Sequence, residues 1–186
     1  MKKLLIATTV IGSLIHPTAF AKTEGNYVGV DVLATQFKSI GRGDLLHKEW
    51  SPGVGVSYKH AFNFDDLFVA PGVYFNYNNA EVSYDIFKLA MDYSYGAKVD
   101  LGYDVTDKLA PFISIGYQEN RISFFESGVL GASQTEELIT YGVGTKYSIT
   151  NNVDLAIAYE YGDYKKDDTI SSLNTDVIKI GASYKF

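Results

Sequence analysis

Few residues of this chain combine the types and spacing that chemistry requires. Beyond residue 21 it holds two histidines, His47 and His60, and neither has a serine or carboxylate at a spacing that builds a nucleophile with its base. The stretch Gly142-Val-Gly144-Thr-Lys146 has the flavour of a phosphate loop, but the full glycine spacing is missing and no helix pattern follows. Asp65-Asp66 and Asp167-Asp168 are neighbouring carboxylates without the further oxygen donors that calcium needs at regular spacing, so they read as solvated turn residues. With no cysteine there is no disulfide, thiolate metal site or thiol nucleophile. The chain is expected to be no enzyme and to use no cofactor or metal.

What does recur with regular spacing is charge. Asp31, Asp92, Asp100, Asp104, Asp154 and Glu160 share strand parity with Lys59, Lys88, Lys98, Lys146, Lys179 and Lys185, six of each sign. Charges repeating with period two along a strand lie on one face of a sheet. The elements that carry them therefore decide what they can do.

The clearest element is Lys88 to Asp104. Its odd positions are Leu89, Met91, Tyr93, Tyr95, Ala97, Val99, Leu101 and Tyr103, and its even positions are small or charged. Period two over this length means a strand with one apolar face. The same dyad appears in Val28/Val30/Val32, Val54/Val56/Tyr58, Val69/Val73/Phe75/Tyr77, Leu109/Ile113/Ile115/Tyr117, Ile139/Tyr141/Val143/Tyr147/Ile149, Leu155/Ile157/Tyr159/Tyr161 and Ile178/Ile180/Ala182/Tyr184/Phe186. That predicts eight strands, near 26–37, 50–60, 68–78, 87–104, 109–121, 137–149, 153–163 and 174–186. Connections after the odd-numbered strands are long (38–49, 79–86, 122–136, 164–173). Those after the second, fourth and sixth are tight, near Phe62 to Asp66, Val105 to Lys108 and Thr150 to Asn152. Asp104-Val-Thr-Asp-Lys-Leu-Ala and Ile149-Thr-Asn-Asn-Val-Asp-Leu-Ala repeat one turn-then-strand device. Short turns on one rim and long loops on the other predict an all-β fold, an eight-stranded antiparallel up-and-down transmembrane β-barrel.

Periodicity alone leaves open whether the apolar face points in, as in a soluble ligand-binding barrel, or toward lipid. Four features favour lipid. The opposite face is rich in glycine, which relieves crowding in a narrow barrel. That face also carries the balanced charges, which predicts a lumen network of Asp31, Lys59, Lys88, Asp92, Lys98, Asp100, Lys146, Asp154, Glu160 and Lys179 that plugs the interior. Tyrosines crowd the strand ends of the apolar face, as at a membrane interface. The sequence closes as Ile180-Gly-Ala-Ser-Tyr184-Lys-Phe186, with outward aromatic residues alternating to the last position.

The first residues supply the route. Lys2 and Lys3 precede the apolar run Leu4 to Ile15, and Ala19-Phe20-Ala21 offers small residues for cleavage, so residues 1–21 read as a signal peptide removed after Ala21 and residues 22–186 as one barrel domain. Losing those two lysines moves the formal charge from -6 to -8, a balance that disfavours nucleic acid.

The closing segment resembles the β-signal read by the outer-membrane assembly machinery, with Tyr184 and Phe186 at the matching positions. The mature chain resembles the small outer-membrane barrels of the outer-membrane protein A, X and W type and the opacity-type adhesins, within the porin-like superfamily. The resemblance implies the bacterial cell outer membrane as location, outer-membrane lipid and the assembly machinery as partners, and in some members adhesion or other contact with a host or surface protein through the loops. Phe124 and Phe125, adjacent aromatic residues in the third long connection, are the candidates for such contact, against packing on neighbouring loops. Trp50 is expected to anchor at the interface. A small passive channel is the alternative. A lipid A-modifying enzyme, which resembles this chain in size but carries a His–Ser pair on its lipid face, is a weaker one.

Overall fold

In the computed structural model the described residues are 23–39, 50–84, 87–126, 129–164 and 173–186. They form eight strands: β1 (Gly25–Ser39), β2 (Trp50–Phe64), β3 (Leu67–Tyr84), β4 (Phe87–Tyr103), β5 (Leu109–Glu126), β6 (Val129–Ser148), β7 (Val153–Tyr164) and β8 (Leu173–Lys185). Each pairs antiparallel with its neighbours in sequence, and β8 returns to β1, with Tyr27 opposite Lys185 and Ser39 opposite Leu173. Closure leaves no sheet edge through the spanning part, so the strands satisfy one another's backbone N–H and C=O groups in a continuous ring of ladders, as a bilayer demands.

The barrel is inside out relative to a water-soluble one. Val30, Ile113 and Val143 are 59%, 60% and 56% exposed, whereas Asp100 and Glu160 are 2% and 3% exposed. Each strand alternates in this sense, with valine, isoleucine and tyrosine outward and glycine, alanine and polar residues inward. The lumen is narrow enough to forbid side chains at some positions. A Cβ at Gly181 would lie 2.0 Å from Asp31 Oδ1 and 3.0 Å from the Val30 carbonyl oxygen, so glycine there makes room for the aspartate across the β1–β8 seam.

The tight turns follow from local chemistry. Asp65 takes φ 60° between the paired residues Phe64 and Leu67, a conformation that aspartate tolerates. In the other two turns one threonine hydroxyl accepts two backbone N–H groups: Thr106 from Lys108 and Leu109, and Thr150 from Asn152 and Val153. The repeated sequence device is thus a repeated hydrogen-bonding device.

The opposite rim departs from expectation. Residues 79–84 and most of 122–136 continue as strand: β3 and β4 pair as far as Tyr84 opposite Phe87, and β5 and β6 as far as Glu126 opposite Val129. Register shifts at Tyr77/Ala80, Met91/Tyr93 and Phe124/Phe125 reset the side-chain phase, and a broken phase reads as loop in the sequence. The same shift breaks the apparently continuous alternation of Lys88 to Asp104. Met91 is buried and accepts a hydrogen bond on sulfur from lumen-facing Asn78, instead of facing lipid. Of the first and fourth connections, residues 40–49 and 165–172 lie outside the described residues, and His47 and Asp167-Asp168 with them.

Candidate functional site

The lumen is filled in layers. At the end with the tight turns Thr23, just ahead of β1, donates from its hydroxyl and its backbone N–H to Asp104 (2.5 and 3.2 Å), and its hydroxyl accepts from the Lys146 ammonium (2.5 Å), which also pairs with Asp154 (3.3 Å). Above lies an apolar layer of Tyr27, Phe68 and Phe112 set among alanines 61, 70, 110 and 158. Lys59 and Lys146 place their ammoniums 5.7 and 5.6 Å from the centre of the Tyr27 ring, so cations cover the aromatic layer.

The next layer is ionic. Lys59 meets Asp100 at 3.2 Å, Lys98 meets Asp100 at 3.9 Å and Glu160 at 2.8 Å, and Lys179 meets Glu160 at 2.5 Å. Glu160 thus bridges two lysines, and Asp100 the other two-lysine contact. Asp31 faces the same layer and lines a cavity of about 60 Å³ together with Lys59, Asp100 and Lys179. Toward the outer rim the lumen becomes uncharged and amide-rich: Tyr74 donates to Gln118 (2.8 Å), Gln118 to Asn120 (2.6 Å), and Asn76 and Asn78 both to Ser94 (3.2 and 3.1 Å). A second cavity there measures about 10 Å³. Charge alone does not mark the amide layer; the signal for it in the sequence is that positions 76, 78, 94, 118 and 120 share the parity of the glycine face.

Two residues assigned to the lumen by parity lie elsewhere. Lys88 pairs with Glu81 at 2.7 Å, both partly exposed, and its ammonium sits 5.7 Å from the Phe125 ring. Asp92 occupies the β4 bulge and accepts a hydrogen bond from Ser123 (2.6 Å), the neighbour of lumen-facing Ile122. Both lie at or beyond the bulge, where the parity of the lower strand no longer holds. The glycines of the phosphate-loop look-alike line the lumen beside Lys146. His60 donates from Nδ1–H to Asn26 Oδ1 (2.9 Å) and meets Phe62 edge-on, at the tight-turn end of the outward face. The side chain of Phe124 lies outside the described residues.

On the outer surface two bands of tyrosine hydroxyls bracket the apolar belt. In the lower band Tyr58 donates to Asn26 (2.8 Å) and Tyr103 to Asp66 (3.4 Å); in the upper one Tyr95 donates to Glu119 and Tyr159 to Asp176, while Tyr93 stacks on Phe75 at 5.7 Å. Between Tyr95 and Tyr103 the strand rises about 26 Å, or about 20 Å along the barrel axis at the usual tilt, close to the apolar height of an outer-membrane barrel.

Residues 6–186 match the family model described as the outer membrane protein beta-barrel domain. The chain belongs to this family. It is a β-barrel protein of the bacterial outer membrane, and the apolar belt faces lipid. Neisserial surface protein A is similar in structure at 25% identity, with a TM-score of 0.64 over 88% of this chain and 98% of that one. Ail, the attachment invasion locus protein of Yersinia pestis, is similar in fold at 18% identity, with a TM-score of 0.63 over 88% of this chain and 99% of that one. No curated protein sequence matches the chain.

Proposed function

We propose that this protein is an exported, non-catalytic surface protein in which a sealed barrel anchors an outer β-sheet that contacts surface partners. The carrying observation is that β3, β4, β5 and β6 stay paired well beyond the upper tyrosine band, to Tyr84, Phe87, Glu126 and Val129. Strand that continues past the membrane has no anchoring task, and a rigid sheet loses less entropy on meeting a partner than a loose loop does. The similarity to a Neisserial surface protein supports exposure at the cell surface. Export rests on residues 1–21, and delivery to the assembly machinery on Tyr184 and Phe186, whose side chains face outward and are 56% and 64% exposed.

The channel alternative draws no support from the described lumen, where the cavities lined by the ionic and amide layers measure about 60 and 10 Å³. The lipid-modifying alternative would need a base near the outer leaflet; His60 lies at the other end, and His47 lies outside the described residues. Replacing residues 124–132 by a two-residue turn is expected to leave the heat-dependent gel shift of the barrel intact and to lower attachment of bacteria to host cells at least tenfold. Unchanged attachment would remove the display reading.

A further inference from the structure

The chain crosses the inner end of its own lumen before β1 begins. β1 joins β2 from Gly25 opposite Ala61, and the same register would set Thr23 opposite Asn63. Thr23 goes elsewhere. Its backbone N–H and hydroxyl donate to Asp104, just past β4, and its hydroxyl accepts from Lys146 on β6. β4 and β6 each lie three strands from β1 around the closed ring, so Thr23 reaches across the lumen, and it is 4% exposed there. Gly25 makes the turn: its φ of 128° favours glycine, and a Cβ on it would lie 3.3 Å from the Lys185 stem.

This strap leaves polar atoms around it unmet. Both side-chain amide atoms of Asn63 and Oδ2 of Asp154 are buried and make no hydrogen bond, although Asp154 pairs with the Lys146 ammonium at 3.3 Å. In the ionic layer above, Asp31, Asp100 and Glu160 are matched by Lys59, Lys98 and Lys179. At the inner end Asp104 and Asp154 face Lys146, the one buried lysine of that layer among the described residues, while Lys108 and Lys185 are half-buried at the rim. Buried acceptors are normally satisfied, and a buried carboxylate is best matched by a cation.

Resting on the export reading above, we propose that the α-ammonium released at Lys22 when residues 1–21 are removed is the cation that completes this layer, so that processing of the precursor tightens the inner closure of the barrel. Hydrolysis of the Ala21–Lys22 amide leaves a carboxylate on the departing leader and an ammonium on Lys22. Consecutive Cα atoms are about 3.8 Å apart, so a group carried by the neighbour of Thr23 is within reach of the groups that Thr23 binds. Asp104 and Asp154 supply negative charge, and Asn63 Oδ1 a neutral acceptor. While the leader is attached the same nitrogen is an uncharged amide.

The test compares the mature chain, beginning at Lys22, with the same chain carrying Gly-Ser ahead of Lys22, both refolded in lipid nanodiscs. The extension keeps every charge and moves the ammonium two residues away. In the mature chain the α-ammonium, followed by NMR of nitrogen-15-labelled Lys22, is expected to titrate at least one unit above the ordinary range of about 7.7–8.0. Replacing Asp104 and Asp154 together by Asn is expected to abolish that rise. In the extended chain the Thr23 amide is expected to exchange at least tenfold faster, and the barrel to unfold at least threefold faster in urea. An α-ammonium that titrates in or below the ordinary range overturns the proposal, and so does an extended chain that unfolds at the mature rate; neither readout depends on the Asn variant folding. The mass of the protein exported by the cell judges the export reading separately. A first residue other than Lys22 removes the cleavage site and the proposal together, whereas a chain that begins at Lys22 and titrates ordinarily leaves export standing and removes the proposal alone.

Discussion

At the scale of single residues the barrel is organised around charges that lipid and a narrow lumen will not forgive. Glu160 is 3% exposed and holds both Lys98 and Lys179. Removing one partner of a buried network leaves the other charges uncompensated, typically at about 3–5 kcal/mol. Glu160→Ala is therefore expected to destabilise the barrel by about that amount, read as a lower urea midpoint for the compact gel species in lipid vesicles. The double change Glu160→Ala with Lys179→Met should recover part of the loss, because it removes one of the stranded ammoniums. Glycine acts at the same scale: Gly181 has no Cβ because Asp31 occupies the space where one would be.

At the scale of elements each strand is read twice, once by lipid and once by the lumen. Ile115 is 52% exposed in mid-belt on β5, opposite Val99, whereas Arg121 sits on the same face of the same strand above the upper tyrosine band. Ile115→Arg is expected to cost about 2–4 kcal/mol in a bilayer, while Arg121→Ile should be close to neutral for folding. Equal effects at the two positions, measured by the same urea titration, would mean that the belt has been placed wrongly. Strand existence was legible throughout, because an alternation of apolar and small or charged residues has no other structural solution. Where strands end was legible only at the tight turns. Thr106 and Thr150 announce those turns by their chemistry. The outer ends carry no such signal, since a bulge of one residue moves Lys88 and Met91 to faces that strict parity denies them.

For the molecule as a whole, the eight strands close into one barrel whose described lumen is filled by ionic, aromatic and amide layers. Unboiled protein from the membrane fraction is expected to run as a compact species that shifts on heating, and the purified barrel to show no discrete conductance steps in a planar bilayer. Stable open steps would show that the ionic layer rearranges and would revive the channel alternative. The sequence by itself determined the eight strands, the lipid-facing belt, the glycine and charge face, and the tight turns, because side-chain period and turn chemistry are local properties. Only the tertiary structure decided which charges meet. Lys98 and Glu160 are 62 residues apart and Lys146 and Thr23 are 123 apart, so their contacts depend on tilt and register around the closed sheet. The same holds for the outer sheet, because pairing of β5 with β6 beyond the membrane is fixed by the ladder below it, and no short stretch of sequence records where a ladder stops.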